Sequence, residues 1–259
     1  MADVSRRGWT AALLAGVLAA CGGPAPPPAR PAEAADAPDP QASDAPPAGP
    51  AVELDWVRVA PGLQMARTEV TVGQYRACVR AGRCSDSKVH LLDWPGHVEM
   101  QPRDECTYPQ GRDELPMNCV SYGEAQAFCE AAGGRLPTAD EWRAAASHGG
   151  HTDWPWGNQP ARPTCEVAML GLDGDWCGTG TAAPVCSRPA GNNRAGICDL
   201  VGSVYEWTAR PSDPTGDWVM VGECFNNFAA SRSLSAMELP IDSPRYRTPP
   251  LGVRCVRDR

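Results

Sequence analysis

The twelve cysteines of this 259-residue chain constrain its fold more than any other feature. No two of them have the C-x2-C spacing that zinc sites and thioredoxin-like redox motifs use. In an exported protein such cysteines are oxidised to disulfides, which stabilise segments that lack regular secondary structure. The sequence therefore predicts a cross-linked domain that lies outside the cytoplasm.

Residues 1–21 have the pattern of an export signal. Arg6 and Arg7 precede an apolar run, residues 9–20, that is too short to cross a bilayer as a mature helix. The run ends in LAAC, which resembles the lipobox of bacterial lipoproteins and implies cleavage before an acylated Cys21; an ordinary signal peptide is the alternative. We expect attachment to a membrane of the bacterial cell envelope through this lipid anchor. By analogy with other lipoproteins, the glycine that follows Cys21 indicates the outer membrane.

Two regions follow the signal. Residues 22–51 are mostly Pro, Ala, Asp and Gly without a large apolar side chain, a composition that predicts a disordered tether. Residues 52–259 are long enough to bury one sizeable core. The net charge of −8 and the absence of a basic cluster exclude nucleic acid as an expected partner.

Three capping boxes predict three short helices, because a Ser or Thr hydroxyl and a Gln or Glu three residues later satisfy each other's backbone amides. They are TVGQ at 71–74, SYGE at 121–124 and TADE at 138–141. From Gly149 onwards, Gly, Pro, Asn and Asp are frequent and only short pieces such as DWVMVG and LGVRCV look like strands.

Local spacing suggests several disulfides. Two pairs each enclose a loop of about a dozen residues, Cys165 with Cys177 and Cys186 with Cys198. Four further cysteines lie near one another in sequence, and their pairing stays open from spacing alone: Cys78, Cys84, Cys106 and Cys119.

Several motifs together resemble the sulfatase-modifying-factor domain, whose founding members are formylglycine-generating enzymes. The motifs occur in family order: EVTVGQY, NCVSYGEAQAFCEAAGGRLPTADEWRAAA, WPWGN, GICDLVGSVYEWTA and LGVRCVRD. The resemblance implies an α+β fold that is irregular, loop-rich and related to C-type lectins. It also implies a disulfide between Cys129 and Cys255, which would leave Cys224 as the odd cysteine.

The resemblance implies a copper site that this sequence does not support. The family's oxidases hold Cu(I) between two cysteines separated by four residues, and soft thiolates suit that ion. Counting from either flanking motif places Asn226 and Ser231, or Asn227 and Arg232, at those positions. Copper is therefore not expected, and Cys224 would be catalytic only in an oxidase of a different design. The alternative for Cys224 is an inert buried thiol.

A calcium site is a further implication of the resemblance. It would use the carboxylate of Glu206 and backbone carbonyls near Gly202 and Val204, which are the hard oxygen ligands that calcium prefers. The alternative is that Glu206 caps a turn or pairs with an arginine. The family's other calcium site would fall near Met169 and Cys177, which lack oxygen ligands, so it is not predicted.

The remaining candidate residues favour structural roles. The four histidines are scattered in polar loops without a metal-binding spacing, and Trp154, Trp156 and Trp207 suit packing better than a ligand platform. The sequence as a whole predicts a non-catalytic binding or accessory module with a protein or small polar ligand. The alternatives are a formylglycine-generating oxidase that acts on a protein cysteine and a lectin-like sugar binder.

Overall fold

The computed structural model describes residues 52–93, 101–102, 105–171, 177, 179, 182–209, 218–225 and 234–259. All of these residues lie within one compact unit, Pro47–Arg259. No helix among them is long and apolar enough to cross a membrane.

The three helices begin at the three capping boxes, as predicted. They are α1 (Val72–Arg80), α2 (Tyr122–Ala131) and α3 (Ala139–Ala146). In each helix the N-cap hydroxyl accepts from the third residue's amide, and the Gln or Glu side chain accepts from the N-cap amide. Glycines in the left-handed region, Gly82 and Gly133, follow α1 and α2.

The strands are short and belong to three small sheets. They are β1 (Trp56–Ala60), β2 (Leu63–Ala66), β3 (Leu91–Leu92), β4 (Gln101–Pro102), β5 (Tyr205–Trp207), β6 (Trp218–Val221), β7 (Glu238–Ile241), β8 (Leu251–Gly252) and β9 (Val256–Asp258). One sheet has the order β1-β2-β9, another pairs β3 with β4, and the largest has the order β7-β6-β5-β8. This mixture of helices, short strands and long irregular segments confirms the predicted loop-rich α+β class.

The sheets meet the helices in two apolar clusters. The larger one includes Tyr75 of α1, Phe128 of α2 and Trp207 of β5, and the ring of Tyr75 stacks on that of Phe128. The second cluster surrounds Trp142 of α3 and contains Val221 of β6. Helix α3 therefore packs against the largest sheet at the point where β5 and β6 lie side by side.

Five disulfides cross-link the domain, and they include the three pairs that the sequence predicted. The pairs are Cys78–Cys84, Cys106–Cys119, Cys129–Cys255, Cys165–Cys177 and Cys186–Cys198. The first two pairs resolve the pairing that spacing left open. Cys129–Cys255 joins α2 to the segment between β8 and β9 across 126 residues of sequence. Cys224 belongs to none of these five disulfides, and its side chain is buried.

We expect the long-range disulfide to stabilise the domain most. Replacing both Cys129 and Cys255 by Ser should lower the free energy of unfolding by roughly 5 kcal/mol, because the unfolded chain regains a large loop. Replacing Cys78 and Cys84, which are six residues apart, should lower it by roughly 2 kcal/mol in the same chain-entropy model. Urea unfolding of both oxidised variants measures the difference, and equal losses would contradict this account.

Candidate functional site

A fully buried arginine lies at the centre of the domain. Arg254 stands between β8 and β9 with a side chain that is 0% exposed. Its Nη1 donates to the carbonyls of Ala66 at 3.2 Å and Arg67 at 3.1 Å, where β2 ends. Its Nη2 donates to the carbonyl of Cys198 at 2.9 Å. One guanidinium thus joins β2 to the loop that leads into β5.

Glu206 is the acidic partner of this arginine. It lies in the middle of β5, and its Oε1 is 2.9 Å from Nε and 2.8 Å from Nη2 of Arg254. Its Oε2 accepts from Nε1 of Trp142 at 2.9 Å and from Nε of Arg254 at 3.1 Å. Of the two roles that the sequence left open for Glu206, the geometry shows the ion pair with an arginine.

A second buried carboxylate lies close to this ion pair. Glu69, between β2 and α1, is 0% exposed, and neither of its oxygens has a hydrogen-bond partner among the described residues. Burial raises the pKa of Glu69 well above its usual range, and the negative charges of Asp199 and Glu206 raise it further. Arg254 opposes this rise, and so, more weakly, does the nearby hydroxyl of Ser203.

Asp199 is the third acidic group. Burial is the main cause that raises its pKa, while the amide of Cys186, which donates to Oδ2 at 2.5 Å, lowers it. The group as a whole, Glu69, Asp199, Glu206 and Arg254, is called the acidic cluster below. With all four side chains ionised, the cluster would hold three negative charges and one positive charge, and Arg188 adds a positive charge near Asp199. One more positive charge, from a proton or another cation, would complete the balance.

The loop from Asp199 to Val204 has an unusual backbone. Asp199, Gly202 and Ser203 have φ values of +56°, +87° and +64°, in the left-handed region that few residues other than glycine adopt. A side chain on Gly202 would lie 2.4 Å from the carbonyl oxygen of Met169. The same oxygen accepts from the amide of Ser203 at 2.8 Å. This backbone is therefore held in place by a close approach that only glycine allows.

The predicted calcium ligands fit this geometry only in part. Both oxygens of Glu206 already accept from N–H groups, and a guanidinium adjacent to them would repel a divalent cation. The parts of the chain that the structure describes contain no group of three or more His, Cys, Asp or Glu side chains arranged around a metal position. The buried acceptors without partners belong to Glu69 instead. Calcium at Glu206, Gly202 and Val204 stays a prediction.

Sequence reasoning missed Glu69, Asp199 and Arg254, although a signal was present. Each is a charged residue within a motif that otherwise buries apolar side chains: TEVTV, CDLVG and GVRCV. Charged side chains are rarely buried unless they are paired or hold an ion.

Backbone contacts connect the segment that carries Cys224 to the acidic cluster. Cys224 follows β6, whose Val221 pairs with Glu206, and it is 2% exposed. The next amide, that of Phe225, donates to the carbonyl of Ser203 at 2.8 Å. The four candidate copper positions, Asn226, Asn227, Ser231 and Arg232, lie outside the described residues.

The tryptophans and histidines have mostly structural contacts. Trp154 is buried and stacks on Trp156, and buried Trp207 donates to the carbonyl of Val120 at 2.9 Å. His148 bonds through Nε2 to the carbonyl of Pro155 at 2.8 Å. His151 is exposed, His90 is half-buried, and His97 lies outside the described residues.

We expect the Arg254–Glu206 pair to be essential for stability. Glu206→Gln should lower the free energy of unfolding by about 3–5 kcal/mol, because it leaves a buried guanidinium without its counter-charge. Asp258→Asn is the control, since Asp258 pairs with Arg135 at 2.8 Å but is 71% exposed, and its loss should cost less than about 1 kcal/mol. Urea unfolding measures both variants, and a loss for Glu206→Gln no larger than the control's would refute the role.

Solved structures of several proteins share this fold. PvdO from Pseudomonas aeruginosa matches with a TM-score of 0.56 at 22% identity, over 76% of this chain and 80% of that one. CarF matches with a TM-score of 0.54 at 20% identity, over 80% of this chain and 97% of that one. At these identities the likeness concerns the fold alone, which is the C-type-lectin-like arrangement that the motifs predicted.

Curated relatives match parts of the chain at higher identity. Hercynine oxygenase of Mycolicibacterium thermoresistibile is 32% identical over 60% of this chain and 37% of its own length. The inactive Cα-formylglycine-generating enzyme 2 of Mus musculus is 40% identical over 40% of this chain and 34% of its own. Formylglycine-generating enzyme of Mycobacterium tuberculosis is 33% identical over 57% of this chain and 51% of its own. The alignments thus cover about half or less of these relatives.

A match to a protein-family domain shows which family the chain belongs to. Residues 43–259 match the sulfatase-modifying factor enzyme 1-like domain, a range that includes every described residue and the five motifs that resemble this family. The chain therefore belongs to the sulfatase-modifying-factor (formylglycine-generating-enzyme) family.

Proposed function

We propose that this chain is a binding or accessory module on the sulfatase-modifying-factor scaffold, held at the bacterial cell envelope by a lipid on Cys21. The observation that carries the proposal is the cysteine count of the domain. No cysteine stands between Cys224 and Cys255, the stretch in which the family's oxidases carry their copper pair. The ligand would be a protein or a small polar molecule.

The sulfur atoms of the domain do not fit a two-thiolate copper site. Ten cysteines are consumed by the five disulfides, which leaves only the sulfur of Cys224 for such a site. Cu(I) prefers soft sulfur ligands, whereas the aligned positions hold Asn, Ser or Arg side chains.

The names of the relatives indicate that this fold serves more than one function. One relative is named an inactive formylglycine-generating enzyme, and another is named for the oxygenation of hercynine. Shared fold alone does not transfer an activity, because function depends on the side chains at the site. The competing hypothesis, an oxidase that converts a protein cysteine to formylglycine, is favoured by the match to the mycobacterial formylglycine-generating enzyme.

An aldehyde assay separates these two functions. The oxidised domain, incubated with Cu(I), oxygen and a sulfatase-motif peptide, should form no formylglycine aldehyde detectable by mass spectrometry, because one sulfur cannot hold the ion alone. A formylglycine-generating enzyme under the same conditions is the positive control, and Cys224→Ser is the matched variant. Aldehyde formation that Cys224→Ser abolishes would overturn the proposal.

We further propose that the acidic cluster takes up calcium in its ionised form. Glu69 supplies two buried oxygens without partners among the described residues, and the hydroxyl of Ser203, which lies between Gly202 and Val204, is near it. Calcium prefers such oxygen ligands and would balance the excess negative charge around Arg254. Bound calcium would hold the loop from Asp199 to Val204 in place. The buried carboxylate of Glu69, which has no hydrogen-bond partner among the described residues, supports this proposal.

The variant Glu69→Gln tests the calcium proposal through the dependence of protein stability on pH and on calcium. The unfolded glutamate titrates near pH 4.3, and the folded pKa is raised, so folding takes up a proton. With a chelator present, the stability of the wild-type protein should therefore fall as pH rises above about 4.3, until the folded pKa is passed. Glu69→Gln carries no charge and should not show this fall.

Added calcium should restore stability to the wild-type protein at pH 7 but not to Glu69→Gln. Free calcium at one hundred times its dissociation constant would raise the free energy of unfolding by about 2.7 kcal/mol. Glu114→Gln is the control, because this side chain is 50% exposed and pairs with Arg112 on the surface. Thermal unfolding measures all three proteins, and equal calcium responses in wild type and Glu69→Gln would exclude Glu69 as a ligand.

A further inference from the structure

The segment around Met169 and Cys177 differs chemically from the family pattern. The resemblance places a second calcium site there, but the sulfur of Cys177 is bonded to that of Cys165. Cys177 Sγ lies 3.6 Å from the carbonyl of Ala168, and Oγ1 of Thr179 donates to the sulfur of Met169 at 3.6 Å. Sulfur is a poor ligand for calcium, which takes oxygen. Neither Met169 nor Cys177 offers a side-chain oxygen, so these two described positions do not fit that ion.

We infer that the Cys165–Cys177 disulfide does in this chain what a cation does at the second family site. A bound cation holds two chain segments together through their oxygen atoms, and a disulfide holds two segments through one covalent bond. Here the two segments are the turn at residues 164–168 and the chain at Cys177 and Thr179. The segment would then be held in place by oxidation and not by calcium.

The disulfide is linked to the candidate site by backbone contacts. In the turn, the amides of Val167 and Ala168 both donate to the carbonyl of Thr164, at 3.1 and 2.9 Å. Met169 follows directly and pairs with Gly202 in a parallel bridge. Its carbonyl accepts from Ser203, the residue whose own carbonyl accepts from Phe225. Fixing the turn therefore fixes one side of the loop that carries Asp199 and the segment that follows Cys224.

The side chains on this path form a small cluster of their own. Its buried members are Met169, Ala182, Ala183, Val204 and Phe225, and Cys177 packs against them. A group of this size buries much less apolar surface than either main core, so its packing alone gives limited stability. A covalent cross-link at its edge compensates for that deficit. This inference does not depend on whether the protein is catalytic or binds calcium at Glu69.

Amide hydrogen exchange on the intact, oxidised protein tests the inference. In Cys165→Ser/Cys177→Ser, protection at Val167, Ala168 and Ser203 should fall by at least about tenfold, and added calcium should not restore it. Cys106→Ser/Cys119→Ser is the matched control, because its disulfide closes a loop of nearly the same size, 13 against 12 residues. In that variant the same three amides should keep their protection.

The wild-type protein provides a second readout that needs no variant. Chelation of calcium should leave protection at Val167 and Ala168 unchanged, because the disulfide holds this turn. Loss of protection there on chelation would show that a cation holds the segment and would overturn the inference. Unchanged protection in Cys165→Ser/Cys177→Ser would overturn it as well, since the disulfide would then be dispensable for the turn.

Discussion

The buried ion pair between Arg254 and Glu206 is the interaction on which the rest of the domain depends. A guanidinium without exposure to water needs a counter-charge and an acceptor for each N–H. Glu206 provides the charge, and the carbonyls of Ala66, Arg67 and Cys198 provide further acceptors. These groups come from β5, from the end of β2 and from the loop before β5. The pair thus joins segments that no single helix or sheet brings together.

The neighbouring disulfide strengthens the same junction. Arg254 directly precedes Cys255, which is bonded to Cys129 on α2. Trp142 of α3 donates to the same Glu206 that Arg254 contacts, so α3, β5 and the end of β2 meet at one buried point, next to the disulfide that leads to α2. In a domain whose strands are two to five residues long, such a junction replaces the extended ladders of larger sheets. Burying these charges costs free energy of desolvation, but the pair allows only one arrangement of the irregular loops that contact it.

The same junction holds the loops that form the candidate functional site. The loop from Asp199 to Val204 adjoins the ion pair, and the carbonyl of Ser203 holds the amide of Phe225, next to Cys224. Backbone hydrogen bonds therefore connect the acidic cluster to the segment that carries Cys224.

Local signals were enough to predict the helices and some of the cross-links. Each capping box satisfies its own amides within four residues, so Thr71, Ser121 and Thr138 mark helix starts that local sequence reveals, although helices this short depend on packing for their stability. The Cys165–Cys177 and Cys186–Cys198 disulfides also follow from nearness in sequence, whereas spacing left the pairing of Cys78, Cys84, Cys106 and Cys119 open. The Cys129–Cys255 pair did not follow from spacing, because its partners are 126 residues apart and only the family resemblance implied it. The absence of a second copper thiol is likewise a property of the sequence alone.

Only the tertiary structure decided which charged residues are buried together. Glu69, Asp199, Glu206 and Arg254 are spread over most of the domain, and no spacing relates them. The raised pKa values of Glu69 and Asp199 arise mainly from desolvation and from neighbouring charge, and both depend on distances that exist only after folding. The sequence by itself determined the family, the capped helices and the lack of a thiolate pair, because these depend on residue identity and local spacing. The acidic cluster depends on three-dimensional proximity, and for that reason only the fold revealed it.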